Sequence, residues 1–330
     1  MRRYYTTEVL DEVAGEMGAN IHFQPDVYQP GGFVTFANGK RAFFLNNQLG
    51  ANDYGAFSVV NDKHCATALM RHFGYRVPEE TLLDSSRPDT EAVVEEGFAF
   101  AQALGFPVVV KPRNMSQGHM VSKVHDETEF RDAVGRLLAM RQHALVQRFH
   151  PGDDHRIVVF DGEIVVAYVR RPPVVTGDGI STVARLIEGY RARLADAGRN
   201  IRIGVEDARV RSAMARAGLQ PSSVLAEGRT LRLLDNANMA SGGTGVEVTA
   251  ELHPGYADVC IRLCRDFGLR LGGVDLLTTD ITAPVGDYAV LELNATPGIR
   301  HFAAMGEAQD RKARALYRRI LTGLSEASAR

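Results

Sequence analysis

The chain has 330 residues, 45% of them hydrophobic and 24% charged, and a formal net charge of −2. This is ordinary globular composition, long enough for two or three lobes with sizeable cores. It excludes the global basic field that recruits nucleic acid or an anionic membrane. No apolar run approaches the roughly 20 residues of a spanning helix. The opening MRRYYTTEVLDEV lacks the apolar centre of a signal peptide. The three cysteines, Cys65, Cys260 and Cys264, lack nearby paired ligands and read as small buried thiols in a reducing cytoplasm.

In chain order, residues 1–60 read as a small α/β cap. A helix over 6–17 leads to a strand at 21–24, then strands at 33–36 and 41–45 flanking Asn38-Gly39, a dipeptide that tolerates the positive φ of a tight hairpin. Residues 61–150 form a second region: a helix from Asp62 to Phe73, a helix at 91–104, a strand at 108–111, a glycine-containing turn, a strand at 120–124, a helix at 126–140 and a strand at 144–149. Residues 151–330 form the largest region. Strands at 155–160 and 163–169 turn about Asp161-Gly162. The segment 172–245 is irregular, with helices near 181–195 and 206–217, and reads as a lid-like insertion. A helix at 254–267, strands at 271–278 and 287–294 and a helix at 308–323 follow. The fold class is α+β, with mixed α/β elements.

Three constellations carry chemistry. Lys111 ends the apolar run Phe106-Pro107-Val108-Val109-Val110, where an unpartnered charge is costly. A phosphate oxygen would satisfy it, and the following turn supplies backbone amides, Ser116 and the permissive Gly118. An edge-strand lysine reaching water is the bland alternative. In Leu291-Glu292-Leu293-Asn294, Glu292 and Asn294 share one strand face, and Asp275 interrupts the apolar strand Gly273-Val274-Asp275-Leu276. If the strands pair, three hard oxygen donors converge, which suits magnesium shared with phosphates. Structural hydrogen bonding is the alternative for either strand alone. Finally, a strand ending in Val146-Gln147-Arg148 turns through Pro151-Gly152 into Asp153-Asp154-His155-Arg156. Backbone groups at such a hinge can read an adenine edge, and a carboxylate can accept from ribose hydroxyls. A solvated connection is the alternative.

The order of these groups resembles the ATP-grasp superfamily: Asn61-Asp62-Lys63, a strand-end lysine, a glycine loop, a hinge, then an aspartate and Glu-x-Asn-x-x-Pro-Gly. The stretches GDDHRIVV (152–159), VRRPPVVTGDGISTVARLI (169–187), LLDNANMASGGTG (233–245), HPGYAD (253–258) and LELNATPGIRHF (291–302) are similar to the ATP-grasp half of cyanophycin synthetase. Three departures stand out. Residues for the second, Mur-ligase-related half of that enzyme are not in this chain. Gln147 stands where these enzymes usually carry glutamate. Gly273 stands two residues before Asp275, where D-alanine–D-alanine ligase has an arginine, so phosphate stabilisation must come from elsewhere.

The resemblance implies an ATP-grasp fold in which nucleotide is held between two α/β lobes. It assigns Lys63, Lys111, Ser116, Gln117 and Gly118 to the ATP phosphates, and Gln147, Arg148 and His150 to adenine. Asp154 falls to ribose, and Asp275, Glu292 and Asn294 to one or two magnesium ions, with manganese as a substitute. Arg156, Arg171 and Asn238 fall to the transferring phosphoryl group and acyl phosphate, and Arg300 and His301 to a substrate carboxylate or the incoming amine. The implied activity is ATP-dependent ligation of a carboxylate to an amine through an acyl phosphate, with ADP and phosphate released, on amino acids or short peptides. The implied protein is cytoplasmic and, by analogy, homo-oligomeric. The competing readings are an ATP-grasp enzyme forming an ester or a carboxylated product, and a non-catalytic nucleotide-binding regulator.

Overall fold

The structure, a computed structural model, describes residues 4–24, 30–115, 118–196, 198–199, 201 and 203–326. Helix α1 (Tyr5–Glu16) buries Val9, Leu10, Val13 and Ala14, a single helical stripe. Strands β1 (Asn20–Gln24), β2 (Gly31–Thr35) and β3 (Arg41–Leu45) pair antiparallel in that order. The β2–β3 turn carries Gly39 at φ 80°, as Asn38-Gly39 predicts. Two helices follow, α2 (Tyr54–Asn61) and α3 (Lys63–His72). Each is capped by an aspartate: Asp53 accepts from the Gly55 amide and Asp62 from the Cys65 amide. Only α3 is expected from the sequence, because α2 is short and its Gly55, Ser58, Val59 and Val60 are weak helix formers.

The next stretch contains β4 (Glu80–Leu83), α4 (Thr90–Leu104), β5 (Val108–Pro112), β6 (Ser122–Val124), α5 (Glu127–Ala139) and β7 (Ala144–Arg148). Its sheet has the order β4-β7-β5-β6 and is antiparallel throughout. Val93, Ala101, Phe130, Val134 and Leu137 of the two helices pack with Val108, Val110, Ala144 and Val146 of the strands. The four-residue β4 leaves no readable alternation in the sequence.

Strands β8 (Asp153–Phe160) and β9 (Glu163–Arg171) meet at Asp161-Gly162, with φ of 50° and 79°. Both angles are those of the tight hairpin turn that this dipeptide favours. Beyond them lie β10 (Val174–Thr176), α6 (Val183–Asp196), α7 (Ala208–Arg216), β11 (Thr230–Arg232), a 3-10 turn (Met239–Ser241) and β12 (Thr244–Glu247). The chain continues through α8 (Pro254–Asp266), β13 (Leu271–Thr278), β14 (Tyr288–Asn294), α9 (Arg300–Ala303) and α10 (Glu307–Glu326). The segment expected to be irregular has a core of its own, built from Val183, Ile187, Val210, Met214, Leu225 and Leu233. The largest sheet has the order β12-β9-β8-β13-β14.

The fold is a mixture of helices and mainly antiparallel sheets. It packs as two compact units, the first comprising Met1–Arg76, His155–Tyr168 and Val246–Arg330, the second Val77–Asp154 and Val169–Gly245. These limits differ from the expected boundaries at 60 and 150. The physical reason is that α2 and α3 pack against β14, more than 200 residues later, so sequence continuity does not define the unit. Among the described residues no helix is long and apolar enough to cross a membrane.

Candidate active site

In the first unit, β13 and β14 are antiparallel, and Asp275 faces Glu292 directly while Asn294 faces Gly273. Paired residues lie on the same sheet face, so the three expected oxygen donors share one face. The register shifts between Asp275 and Leu276: Asp275 pairs with Glu292 and Leu276 with Val290, which leaves Leu291 as a bulged residue. Bulges bend a strand and re-aim the adjoining side chains. Asp275 is 5% exposed between the fully buried Val274 and Leu276, a position that an aspartate tolerates only with strong partners. Arg156 on β8 provides them, donating through Nε to Oδ1 and through Nη2 to Oδ2, the latter at 3.0 Å. Glu292 is matched by Lys63, the first residue of α3, with Nζ 3.2 Å from Oε1. The Asn294 amide donates to the Gly273 carbonyl at 3.3 Å.

Gly273 is explained by space. A Cβ there would lie 2.7 Å from Pro297 Cβ and 3.5 Å from Arg156 Cδ. The glycine therefore admits both the Pro297-Gly298 turn and the arginine of the neighbouring strand. Arg156 reaches this face from β8. Beyond the turn, Arg300 opens α9 exposed, with His301 half-buried next to it. Among the described residues no three His, Cys, Asp or Glu side chains form a metal-binding group. The oxygen set on β13 and β14 consists of two carboxylates and one amide.

In the second unit, Lys111 is 8% exposed on β5, opposite Leu145. Ser116 and Gln117 lie outside the described residues. Gly118 has φ 67°, and its carbonyl accepts from Asn236 Nδ2 at 3.3 Å. Strand β7 runs through Arg148, so the connection through Pro151-Gly152 follows it as expected. Gln147 is a buried strand residue, 3% exposed, and its amide Nε2 donates to Glu80 Oε2 on β4. The Arg148 amide donates to the Glu79 carbonyl at 2.9 Å, and its guanidinium holds the Glu79 carboxylate and the Leu104 carbonyl. His150 is half-buried in the connection to β8. Asp154 accepts from Arg170 Nη2 at 2.6 Å. Arg171 ends β9 exposed. The Asn238 side-chain oxygen accepts from the Ala240 amide at 2.9 Å and so caps the 3-10 turn. Gln147 and Asp154 are the residues expected against nucleotide, and Asn238 the one expected against the phosphoryl group. The structure gives each an intramolecular partner, because antiparallel pairing and turn capping recruit the same polar atoms.

Four residues absent from the sequence reading support these positions. Glu80 and Arg170 partner Gln147 and Asp154. Arg199 donates from Nη2 to the carbonyls of Met239 and Gly243, at 2.5 and 2.6 Å, and so braces the Gly242-Gly243 turn. Lys123 lies 3.8 Å from the Phe149 ring centre, and burial lowers its pKa. Only Arg170 left a sequence signal: the Arg170-Arg171 pair on a strand must send one arginine inward and one outward. Gly243 is needed for space as well, because a Cβ would lie 2.5 Å from the Ala237 carbonyl oxygen and 2.8 Å from that of Arg171.

Residues 60–174 match the family model of the RimK-like ATP-grasp domain. The chain is 32% identical over 251 residues to cyanophycin synthetase of a Nostoc species, covering 74% of this chain and 27% of that protein. The chain thus spans less than a third of the length of this relative. Among solved structures, a bifunctional glutathione synthetase from Pasteurella multocida is similar with a TM-score of 0.59 and 21% identity, over 97% of this chain and 43% of that one. D-alanine–D-alanine ligase from Bacillus anthracis is similar with a TM-score of 0.51 and 16% identity, over 83% of this chain and 69% of that one.

Proposed function

The chain carries a RimK-like ATP-grasp domain, and on that premise we propose that it is an ATP-dependent carboxylate–amine ligase that forms an amide bond on amino acids or short peptides through an acyl phosphate. The observation that carries this reading is the β13–β14 face, where Asp275 and Glu292 stand directly opposite each other with Asn294 alongside, flanked by Arg156 and Lys63. Two facing carboxylates in an apolar sheet serve no packing purpose. Hard oxygen donors are the set that magnesium takes.

Asp275, Glu292 and Asn294 would hold one or two magnesium ions, which supply positive charge to the phosphate oxygens. This chain's own cations address the same difficulty. A carboxylate must approach a polyphosphate, and two unit charges about 4 Å apart repel by roughly 4 kcal/mol at an effective dielectric near 20. Arg156 and Lys63 are proposed to offset that repulsion beside the oxygen donors, and Lys111 and Gly118 are proposed as phosphate contacts. Arg171 is proposed to meet the transferring phosphoryl group, and Arg300 and His301 to orient the carboxylate or the amine. A substrate carboxylate oxygen attacks the γ-phosphorus and ADP leaves. The amine nitrogen then attacks the acyl carbon, the C–O bond to phosphate breaks, and the amine loses its proton. The activated acyl group is open to hydrolysis, so exclusion of water is part of the task. The Arg148–His150 backbone is proposed for adenine and the Asp154 carboxylate, steadied by Arg170, for ribose.

The test is a screen of amino-acid and dipeptide pairs for ADP release. A ligase needs both a carboxylate and an amine, releases ADP and not AMP, and yields a product lighter than its two substrates by one water in the mass spectrum. ATP turnover that ignores the amine, or a product containing an ester or added CO₂, overturns the proposal.

A further inference from the structure

The first unit contains a cavity that the chemistry above does not use. It measures about 320 Å³, and its walls include Phe43, Leu45, Tyr54, Phe57, Leu271 and Thr296. That volume lies at the lower end of the range for small-molecule sites. Its rim is apolar and open: Tyr54 is 81% exposed, Phe43 68% and Leu45 43%. Large apolar side chains grouped in water mark a binding surface more than a folding requirement. No Asp, Glu, Lys or Arg lines the cavity.

Two of the polar side chains in its wall, Asn52 and Asn47, are engaged within the protein. Asn52 donates to the carbonyls of Leu271 and Ala295, both at 2.7 Å, and accepts from the amides of Arg270 and Leu271, both at 2.9 Å. The Asn47 oxygen accepts from the Thr6 hydroxyl at 2.8 Å. A charged ligand entering here would lose hydration and find no counter-ion. An apolar group would lose nothing and would cover the exposed rings.

Position selects the occupant. Ala295 and Thr296 in the wall directly follow Asn294 in the chain, and Leu271 lies two residues before Gly273, the strand partner of Asn294. The cavity therefore adjoins the end of the two strands that carry Asp275, Glu292 and Asn294. Resting on the ligase reading, we infer that this cavity takes the aromatic or branched aliphatic side chain of the amino acid or short peptide being ligated. The enzyme accordingly discriminates by apolar bulk.

The purified full chain is assayed for ADP release with N-acetylphenylalanine, N-acetylleucine, N-acetylglycine and N-acetylaspartate as carboxylates, and with the four corresponding amino-acid amides as amines. Phenylalanine or leucine compounds should exceed the glycine and aspartate ones in kcat/KM by at least about tenfold on one of the two sides, the factor expected from burying one large apolar side chain. Leu45→Lys and Tyr54→Ala, both at exposed positions, should each erase that preference, read as a raised KM for the phenylalanine and leucine compounds. Equal use of glycine or aspartate compounds by the wild type, or a preference that survives both variants, overturns the inference and leaves the ligase reading intact. The inference is overturned equally if Leu45→Lys changes the sedimentation mass without changing selectivity, which would mark the face as a contact between copies. If no pair drives ADP release, the ligase reading fails. Calorimetric binding of N-acetylphenylalanine and phenylalaninamide then decides the cavity: either should bind the wild type and be lost in Leu45→Lys, and no binding overturns it.

Discussion

At the scale of single residues, the decisive fact is that each carboxylate on the β13–β14 face has its own cation. Asp275 and Arg156 form a nearly buried fork, with side chains 7% and 12% exposed, whereas Glu292, paired with Lys63, is 30% exposed. The two carboxylates therefore respond differently to neutralisation. Asp275→Asn leaves an arginine buried without its counter-charge, and breaking a buried pair costs on the order of 3 kcal/mol or more. Its loss of activity would mix chemistry with stability. Glu292→Gln keeps shape at a partly hydrated site, where exposed pairs contribute little. It should retain the melting temperature while turnover falls more than about a hundredfold, beyond the effect of removing a residue that merely supports a metal ligand. Near-normal turnover in Glu292→Gln would remove this residue from the site. The Glu-x-Asn spacing and the interrupting Asp275 were readable in the sequence, because a charge within an apolar strand is conspicuous. The bulge at Leu291 and the identity of each cation were not, since they depend on which strands become neighbours.

At the scale of elements, aspartates organise the helix starts. Asp53, Asp62, Asp89, Asp126 and Asp207 all accept from amides in the first turn of the helix that follows. Such caps are local and so are legible in sequence. Asp178 does related work in the loop before α6, accepting from the amides of Ile180 and Ser181 and from the Ser181 hydroxyl. Chiefly through the Ser181 amide and hydroxyl, these bonds hold its carboxyl down to about 2. Because the folded value lies below the unfolded one, near 3.9, the stabilisation is complete above about pH 4 and is lost as pH falls towards 2. Asp178→Ala should therefore melt below the wild type at neutral pH, and the gap should shrink as the melts are repeated from pH 5 to pH 2. A gap independent of pH would show that the carboxylate's charge is not what organises the loop. The segment 172–245 looked irregular because its strands β10 and β11 have three residues each, too few for an alternation to register. Its core is assembled from residues as far apart as Val175 and Leu234.

At the scale of the molecule, the ATP-grasp fold and two separately packed units frame the remaining questions. The buried thiols report on the integrity of the first unit. Cys264 is pushed up to about 12 by burial, and Cys260 is raised by burial and by Cys264 beside it. Cys65 is only half-buried. At pH 8 a thiol reagent should modify one cysteine per native chain and three after denaturation. Prompt reaction of all three without denaturant would mean that α8 does not pack on β13 as described. Gly272 shows how close that packing is, since a Cβ there would lie 2.4 Å from Cys264 Sγ.

By itself the sequence determined the strand bearing Glu292 and Asn294, the strand bearing Asp275, the buried placement of Lys111, the two dipeptide hairpins and the likeness to ATP-grasp proteins. All of these are written in neighbouring residues or in a fixed order of motifs. Tertiary structure alone decided that Asp275 faces Glu292 across a bulge, that Arg156 occupies the space left by Gly273, that Gln147 and Asp154 are held by Glu80 and Arg170, and that an apolar cavity adjoins Asn294. These depend on side chains separated by up to hundreds of residues, and no local periodicity records which distant strand will lie about 5 Å away once the sheet forms.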